Sequence, residues 1–228
     1  NIRFFMSRYA LIVAGGKGAR MQSELPKQFM LLLDIPVLMH TIERFALADG
    51  QIEVILVLPK DQISFWKGLC TQLDFDIEHA IVEGGSSRYE SVQNGLASCP
   101  SEGVVAIHDG VRPLVSIELI QKCILAAEKH GSALPVLPVT QSLRKVTEKG
   151  SKSMNRDGVM EVQTPQCFDL SLLKPCYDKS FDSTFTDDAT VFEGSGHTVH
   201  LVEGESTNIK ITTPADLKIA EAILGLSS

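Results

Sequence analysis

The chain has 228 residues, of which 44% are hydrophobic and 21% are charged, and its formal net charge is -7. This length fits one α/β domain with at most a modest appendage, and the composition is ordinary for a globular protein. The acidic balance argues against a polyanion such as nucleic acid as the main partner. No apolar run approaches the length that spans a bilayer.

The cysteines indicate the cellular compartment. They stand at Cys70, Cys99, Cys123, Cys167 and Cys176, and no two of them form a C-x-x-C pair. An odd count at wide spacing favours reduced thiols over a disulfide framework. The sequence therefore predicts a cytoplasmic protein whose cysteines are small, mostly buried apolar residues.

Along the chain, apolar segments typical of buried strands alternate with segments of helical periodicity. In chain order, strands are predicted at 9–14, 52–58, 77–82, 104–108 and 133–139, and helices at 37–48, 61–73, 88–98 and 117–129. This alternation is typical of a parallel sheet with crossover helices. A last helix is predicted after Thr213, with Pro214 and Asp216 completing a capping-box arrangement, and it runs to about Leu224 before Gly225.

The segment 140–162 departs from this pattern. Polar and apolar residues alternate in it, and Lys149-Gly150-Ser151 is a turn signal near its middle. A segment too polar on both faces to be a central strand predicts a β-hairpin arm. An isolated hairpin is not stable in water, so the arm is expected to pack on another surface, with a second copy of the chain as the expected partner.

The first predicted strand ends in a glycine-rich loop, Ala14-Gly15-Gly16-Lys17-Gly18-Ala19-Arg20-Met21, which is followed by Pro26-Lys27-Gln28. Three glycines within four positions allow backbone N–H groups to face an anion without obstruction by side chains. The carboxyl ends of strands are also where open α/β sheets bind ligands. The loop therefore predicts an anion site after the first strand.

Two common nucleotide-binding templates do not fit this loop. Met21 stands where the dinucleotide fingerprint needs its last glycine. Gly16-Lys17 is followed by Gly18 where the P-loop needs serine or threonine, and no glycine stands five positions before Gly16. Arg20 and Lys27 flank the loop, as triphosphate binding would require. On spacing alone, a tight turn with two solvated charges explains the same residues equally well.

Together with later motifs, this loop resembles the signature of nucleotidyltransferases that act on sugar and polyol phosphates. The later motifs are Gly84-Gly85-Ser86-Ser87-Arg88 with Ser91, His108-Asp109-Gly110-Val111-Arg112-Pro113, Arg156-Asp157-Gly158, Thr164-Pro165-Gln166 and Asn208-Ile209-Lys210. They follow in family order from Tyr9 to Leu224. They narrow the resemblance to the 2-C-methyl-D-erythritol 4-phosphate cytidylyltransferases.

The resemblance implies an α/β fold, namely a three-layer Rossmann-like nucleotidyltransferase fold with a mostly parallel sheet and a protruding β-hairpin dimerisation arm. It implies one nucleotidyltransferase domain over 1–228, with the arm at 140–162. It also implies a homodimer that transfers CMP from CTP to 2-C-methyl-D-erythritol 4-phosphate. The products would be 4-diphosphocytidyl-2-C-methyl-D-erythritol and pyrophosphate, in the non-mevalonate route to isoprenoids.

The resemblance also implies a role for each matching residue. The catalytic cations would be Arg20, Lys27 and Lys210. The nucleotide would be bound by Ala14, Gly15, Gly16, Gly18, Gly85, Ser86 and Ser91, and the polyol phosphate by Arg112, Ser142, Arg156 and Thr164. Many family members carry an acidic residue where this chain has Ser86, and threonine is usual at Ser142. Which subunit supplies Arg112, Ser142 and Arg156 stays open.

Asp109 is the expected ligand of a magnesium ion. It follows a predicted strand, and Mg²⁺ prefers one or two carboxylates together with substrate phosphates. The alternative is a helix cap or turn former, because aspartate before glycine is common in loops. His108, the residue before it, is expected to be a structural residue at the strand end.

Two alternative functions remain at this stage. The sister enzyme ribitol-5-phosphate cytidylyltransferase shares most of the motifs, although 138–145 and Thr186-Asp187-Asp188-Ala189 look closer to the methylerythritol branch. A non-catalytic nucleotide-binding module would be expected to have lost the reactive residues. Arg20, Lys27, Asp109 and Lys210 are all present, which favours catalysis.

Overall fold

The computed structural model describes residues 6–15, 25–178 and 181–226. In chain order its strands are β1 (Arg8–Val13), β2 (Leu31–Leu32), β3 (Ile35–Pro36), β4 (Ile52–Leu58), β5 (Ala80–Glu83), β6 (Val104–Asp109), β7 (Ser132–Pro138), β8 (Leu143–Thr147), β9 (Gly150–Met154), β10 (Met160–Val162), β11 (Gln166–Asp169) and β12 (Leu201–Glu203). Its helices are α1 (Val37–Ala48), α2 (Lys60–Gln72), α3 (Arg88–Ala97), α4 (Ile117–His130), α5 (Leu170–Leu173), α6 (Asp188–Glu193) and α7 (Pro214–Gly225). None of the helices in these ranges combines the length and the apolar character needed to cross a bilayer.

A central sheet with the order β10-β7-β11-β6-β1-β4-β5, with β12 beside β7, organises the chain. Strands β6, β1, β4 and β5 are mutually parallel, and β12 is parallel to β7. Strand β11 runs antiparallel between β6 and β7, and β10 is antiparallel to β7. The expected α/β class with a mostly parallel sheet is confirmed.

Helices cover both faces of the sheet because successive side chains of a strand point to opposite faces. On β1, Ala10 and Ile12 pack with residues of α1 and α4, whereas Tyr9 and Leu11 pack with residues of α3 and α6. A strand buried on both faces has no polar side to alternate with its apolar one, which explains the continuous apolar run of β1. The result is a three-layer arrangement.

The long helices and strands that the sequence predicts are confirmed, with small shifts at their ends. Helix α1 and strand β4 have the predicted bounds, and β5 begins three residues later than predicted, at Ala80. Thr213 and Asp216 form the expected capping box of α7, with Pro214 as its first residue. The helix includes Gly225 and has Leu226 as its C-cap, one residue beyond the predicted end.

The arm is shorter than predicted. Strands β8 and β9 form a two-stranded hairpin over 143–154, with Thr147 paired to Gly150 across the turn. The rest of the predicted 140–162 segment does not protrude in this way, because Met160–Val162 pairs with β7 and extends the central sheet. The polar pattern of the segment predicted that Met160–Val162 belongs to the arm, but its backbone hydrogen bonds to β7 place it in the central sheet.

Candidate active site

A cavity of about 220 Å³ opens at the carboxyl ends of β1 and β6, beside the loop that follows β5. The predicted site residues that line it are Ala14, Gly15, Lys27, Gly85, Ser86, Ser91, Asp109 and Lys210. Val13 at the end of β1 pairs with Asp109 at the end of β6, so strand register brings the glycine loop and this carboxylate to one edge. This is the edge at which open α/β sheets bind ligands.

Asp109 is the centre of a cluster of cations. Its Oδ2 lies 2.9 Å from Lys210 Nζ and 3.2 Å from Arg112 Nε, and its Oδ1 lies 3.9 Å from Arg88 Nε. These cations come from three distant parts of the chain. The cluster therefore carries an excess of positive charge, which suits a pocket that receives a polyphosphate.

The cations keep Asp109 ionised although the residue is buried. Burial by itself opposes the charge of the carboxylate, but the charges of Lys210, Arg88 and Arg112 outweigh it and hold the pKa of Asp109 well below its usual range. At neutral pH, Asp109 is therefore a fixed anion that can orient these side chains.

Arg88 is held from behind by a carboxylate on a different helix. Its two terminal nitrogens donate to the two oxygens of Asp188 at 2.8 and 2.7 Å, and Asp188 also accepts from the Tyr177 hydroxyl at 2.7 Å. The Asp188 side chain has 0% of its surface exposed, whereas Arg88 keeps 33% and lines the cavity. This bidentate pair fixes the plane of the guanidinium at the wall of the pocket.

Thr164 and His108 support Asp109 from inside the sheet. The Asp109 N–H donates to Thr164 Oγ1 at 3.2 Å, and His108 Nε2 donates to the Arg112 carbonyl at 3.2 Å. Burial lowers the pKa of His108 to about 4, so the ring is neutral at pH 7. Because Nε2 faces a carbonyl and carries the proton, Nδ1 accepts from the Thr164 hydroxyl at 3.0 Å. His108 is the structural strand-end residue that was expected.

At the other end of the cavity, the loop after β5 meets the first turn of α3. A Cβ at Gly85 would lie 2.2 Å from Glu90 Cβ, so this close approach requires glycine. Ser91 Oγ accepts from the Gly85 N–H at 3.1 Å and donates to the Ser87 carbonyl at 2.8 Å. The serine hydroxyl thus fixes the loop on which nucleotide binding was predicted.

Ser86, at a position where the resemblance implies that an acidic residue is common, is itself bonded to an acid. Its N–H and its hydroxyl both donate to Glu90 Oε2, each at 2.7 Å. An acidic group is therefore present at this edge of the cavity, although it is supplied from four residues further along the chain.

The four residues predicted to bind the polyol phosphate do not line the cavity within one copy of the chain. Arg112 lies behind Asp109 and donates to the Asn208 carbonyl at 2.8 Å, and Thr164 is buried beneath Asp109. Ser142 and Arg156 are exposed at the base of the arm, where Arg156 bonds to the Thr140 carbonyl. Their contacts with a polyol phosphate stay predictions.

Three of the predicted residues lie outside the described residues, namely Gly16, Gly18 and Arg20. Their assigned roles in binding the triphosphate therefore rest on the sequence. Lys27, which follows this segment, begins a short 3-10 helix and lines the cavity.

Three residues of the site, Gln28, Arg88 and Asp188, had no role predicted from the sequence. Gln28 is buried and lines the cavity, and its Nε2 donates at 2.8 Å to the Ala14 carbonyl, which holds the end of β1 in place. All three residues belong to motifs that were recognised. The pairing of Arg88 with Asp188 gave no signal in the sequence, because the two residues are 100 positions apart.

A magnesium ion was the expected cofactor, and the donor set can be compared with its chemistry. No cluster of three or more His, Cys, Asp or Glu side chains suited to a metal occurs in the described ranges. Asp109 Oδ2 is occupied by Lys210 and Arg112. Asp109 Oδ1 is less engaged, since Arg88 Nε lies 3.9 Å from it. One hard oxygen at a polyphosphate pocket fits Mg²⁺, which takes its other ligands from phosphates and water.

The layered α/β fold, with a cation-rich pocket at the strand ends, is typical of proteins that bind phosphorylated ligands. The family model described as IspD, 2-C-methyl-D-erythritol 4-phosphate cytidylyltransferase, matches residues 9–226. The chain therefore belongs to the 2-C-methyl-D-erythritol 4-phosphate cytidylyltransferase family.

Individual relatives agree with this assignment. Proteins of that name from Bacteroides fragilis and Bacteroides thetaiotaomicron are 53% and 50% identical over 219 residues, covering 96% of this chain and 100% of each relative. The crystal structure of 4-diphosphocytidyl-2C-methyl-D-erythritol synthase from Anaerococcus prevotii is similar with a TM-score of 0.80 at 31% identity, covering 96% of this chain and 99% of that one. For the cytidylyltransferase of Thermus thermophilus, the TM-score is 0.75 at 31% identity, with 96% and 98% covered.

Proposed function

We propose that this protein transfers CMP from CTP to 2-C-methyl-D-erythritol 4-phosphate, with release of pyrophosphate. The observation that carries the proposal is the pocket lined by Lys27, Arg88, Asp109 and Lys210, in which Arg88 and Lys210 lie beside Asp109. It occurs in a chain about half identical, over its full length, to relatives named for this reaction. The expected cytoplasmic location belongs to the same proposal and is supported by the cysteine pattern.

The chemistry explains why the pocket needs cations and no general base. The attacking phosphate oxygen of the polyol is already anionic at neutral pH, and it displaces pyrophosphate from the α-phosphorus of CTP. The barrier lies in bringing anions together and in stabilising charge on the phosphoryl oxygens. Lys27 and Lys210 supply fixed positive charge to the pocket, and Arg20 is assigned the same role from the sequence.

We further propose that Mg²⁺ takes part, with Asp109 holding it. A bound magnesium ion would neutralise phosphate charge and help to orient the triphosphate. The protein's own part is to keep Asp109 ionised and fixed, which the surrounding cations and the Thr164 hydroxyl do.

The magnesium requirement predicts the effect of a chelator. Excess EDTA should stop pyrophosphate release, and added Mg²⁺ should restore it, because charge on the triphosphate would otherwise be only partly neutralised. The measurement is chromatographic quantification of CTP and of the CDP-linked polyol in quenched reactions, which needs no metal-dependent coupling enzyme, with EDTA already saturated with Mg²⁺ as the control. An unchanged rate in metal-free EDTA would contradict the proposal.

Dimerisation through the arm is part of the proposal. Strands β8 and β9 pair with each other and not with the central sheet, and the arm exposes 81% of Val146 and 43% of Met154. A hairpin of this kind needs another surface for stability. A second copy of the chain would cover these residues and would place Ser142 and Arg156, at the base of the arm, near its partner's pocket.

The choice of polyol is tested directly by turnover. Purified protein should release pyrophosphate from CTP with 2-C-methyl-D-erythritol 4-phosphate at a kcat/KM at least about tenfold above that with ribitol 5-phosphate, a difference of about 1.4 kcal/mol in transition-state binding. UTP with the same polyol serves as the control for the base. Faster turnover of ribitol 5-phosphate would instead assign the protein to the sister activity.

A further inference from the structure

Lys210 lies in a segment that has no regular secondary structure of its own. Residues 204–212 connect β12 to α7, and Lys210 Nζ meets Asp109 Oδ2 at 2.9 Å from this connection. The long lysine side chain is flexible, so its position depends on how the backbone beneath it is held. The contacts that hold 204–212 therefore decide where this positive charge lies.

Gln163 holds that segment by a two-point contact. Its Nε2 donates to the Glu205 carbonyl at 2.8 Å, and its Oε1 accepts from the Glu205 N–H at 3.1 Å. The side-chain amide thus copies the pair of hydrogen bonds that two antiparallel strands exchange. A Cβ at Gly204 would lie 2.5 Å from Gln163 Oε1, which shows how closely the segment approaches this amide.

The same anchor continues toward Lys210. Asn208 has 0% of its surface exposed, and its Nδ2 donates to the Thr164 carbonyl at 2.8 Å and lies 3.5 Å from Gln163 Oε1. Gln163 is itself 7% exposed and does not line the cavity. Its side chain therefore does not contact a ligand in that cavity, and its hydrogen bonds go instead to the segment that carries Lys210.

We propose that Gln163 is a positioning residue that acts through Lys210. The amide fixes Glu205 and supports Asn208, and these two residues set the backbone from which Lys210 reaches Asp109. The inference rests on the role assigned to Lys210 under the proposed function. Gln163 lies outside the recognised motifs. It acts through two hydrogen bonds to the backbone of Glu205 and does not contact the substrate.

The test is a double-mutant cycle measured as pyrophosphate release at saturating CTP and 2-C-methyl-D-erythritol 4-phosphate. Gln163→Met keeps the length of the side chain and removes both hydrogen bonds, and kcat should fall about tenfold because a displaced cation stabilises the transition state less well. In a Lys210→Ala background the same substitution should change kcat less than about twofold, because coupled residues are not additive. Ser132→Ala is the matched control.

Ser132, the first residue of β7, also anchors a segment of backbone through two contacts of its side chain, as Gln163 does. Its hydroxyl accepts from the His200 N–H at 3.1 Å and lies 3.3 Å from the Thr198 carbonyl, before β12 begins. Its loss should lower the melting temperature without lowering kcat at a temperature well below unfolding. A loss of kcat for Ser132→Ala equal to that for Gln163→Met would overturn the proposal, because any buried polar anchor would then have the same effect.

A second variant keeps the proposal testable if Gln163→Met folds poorly. Gln163→Glu lacks the amide donor at neutral pH, but its protonated carboxyl can donate to the Glu205 carbonyl. Its activity relative to the native protein should therefore rise as the pH is lowered, whereas that of Gln163→Met should not. A flat ratio for Gln163→Glu, or equal losses for Gln163→Met in both backgrounds, would overturn the proposal. Full activity of Lys210→Ala would instead overturn the assigned role of Lys210.

Discussion

Replacing Lys210 by alanine is expected to lower kcat for pyrophosphate release by about a hundredfold or more, since removal of one fixed charge from a preorganised site costs this much in comparable cases. Lys210 Nζ lies 2.9 Å from Asp109 Oδ2 and lines the pocket, so the substitution removes positive charge from the place where phosphoryl oxygens gather. The measurement is steady-state turnover with saturating CTP and polyol phosphate.

Lys218→Ala provides the control for this substitution. Lys218 is an exposed lysine on α7, eight residues further along the same part of the chain, and it does not line the cavity. Its loss changes the net charge by the same amount and should leave kcat within about twofold, because an exposed and distant charge is screened by salt. Equal effects of the two substitutions would mean that net charge, not the position of Lys210, matters.

Asp188→Ala is expected to lower the free energy of unfolding by about 3 kcal/mol. The substitution leaves the Arg88 guanidinium without its bidentate partner and the Tyr177 hydroxyl without its acceptor. Breaking a buried ion pair costs about 3–5 kcal/mol, and the lower end applies because Arg88 keeps 33% of its side-chain surface in water. Urea unfolding followed by circular dichroism measures the difference.

The exposed pair of Lys60 and Glu83 provides the comparison. These side chains approach to 3.4 Å but are 81% and 51% exposed. Glu83→Gln should therefore change the free energy of unfolding by less than about 0.5 kcal/mol. If Asp188→Ala were as mild as Glu83→Gln, the Arg88–Asp188 pair would not be a stabilising element of the pocket wall.

The elements that could be predicted from the sequence are those whose pattern is long and local. Helix α1 and strand β4 were predicted to the residue, because the twelve residues of α1 carry a clear periodicity and all but one of the seven residues of β4 are apolar. Strands β11 and β12 were missed because four and three residues are too few to show a period. Their pairing partners on β6 and β7 decide their conformation.

The residues of the candidate site also fall into those that the sequence predicted and those that only the structure placed. Loop chemistry predicted an anion site after β1, and the recognised motifs supplied Lys27, Asp109 and Lys210, all of which meet at one cavity. Burial of Thr164 beneath Asp109 could not be predicted, because a motif specifies residue types and not which side of a strand end they face. Gln163 gave no signal, because its partners are backbone atoms of Glu205.

The sequence by itself determined the family and the α/β class and predicted the reactive residues, because these depend on local patterns and on motif order. Only the tertiary structure decided which charges are paired: Arg88 with Asp188, and Asp109 with Lys210 and Arg112. It also limited the arm to 143–154 and joined 160–162 to the sheet. The physical reason is that ion pairs and strand pairing join residues far apart in the chain, and neither composition nor periodicity records such distances.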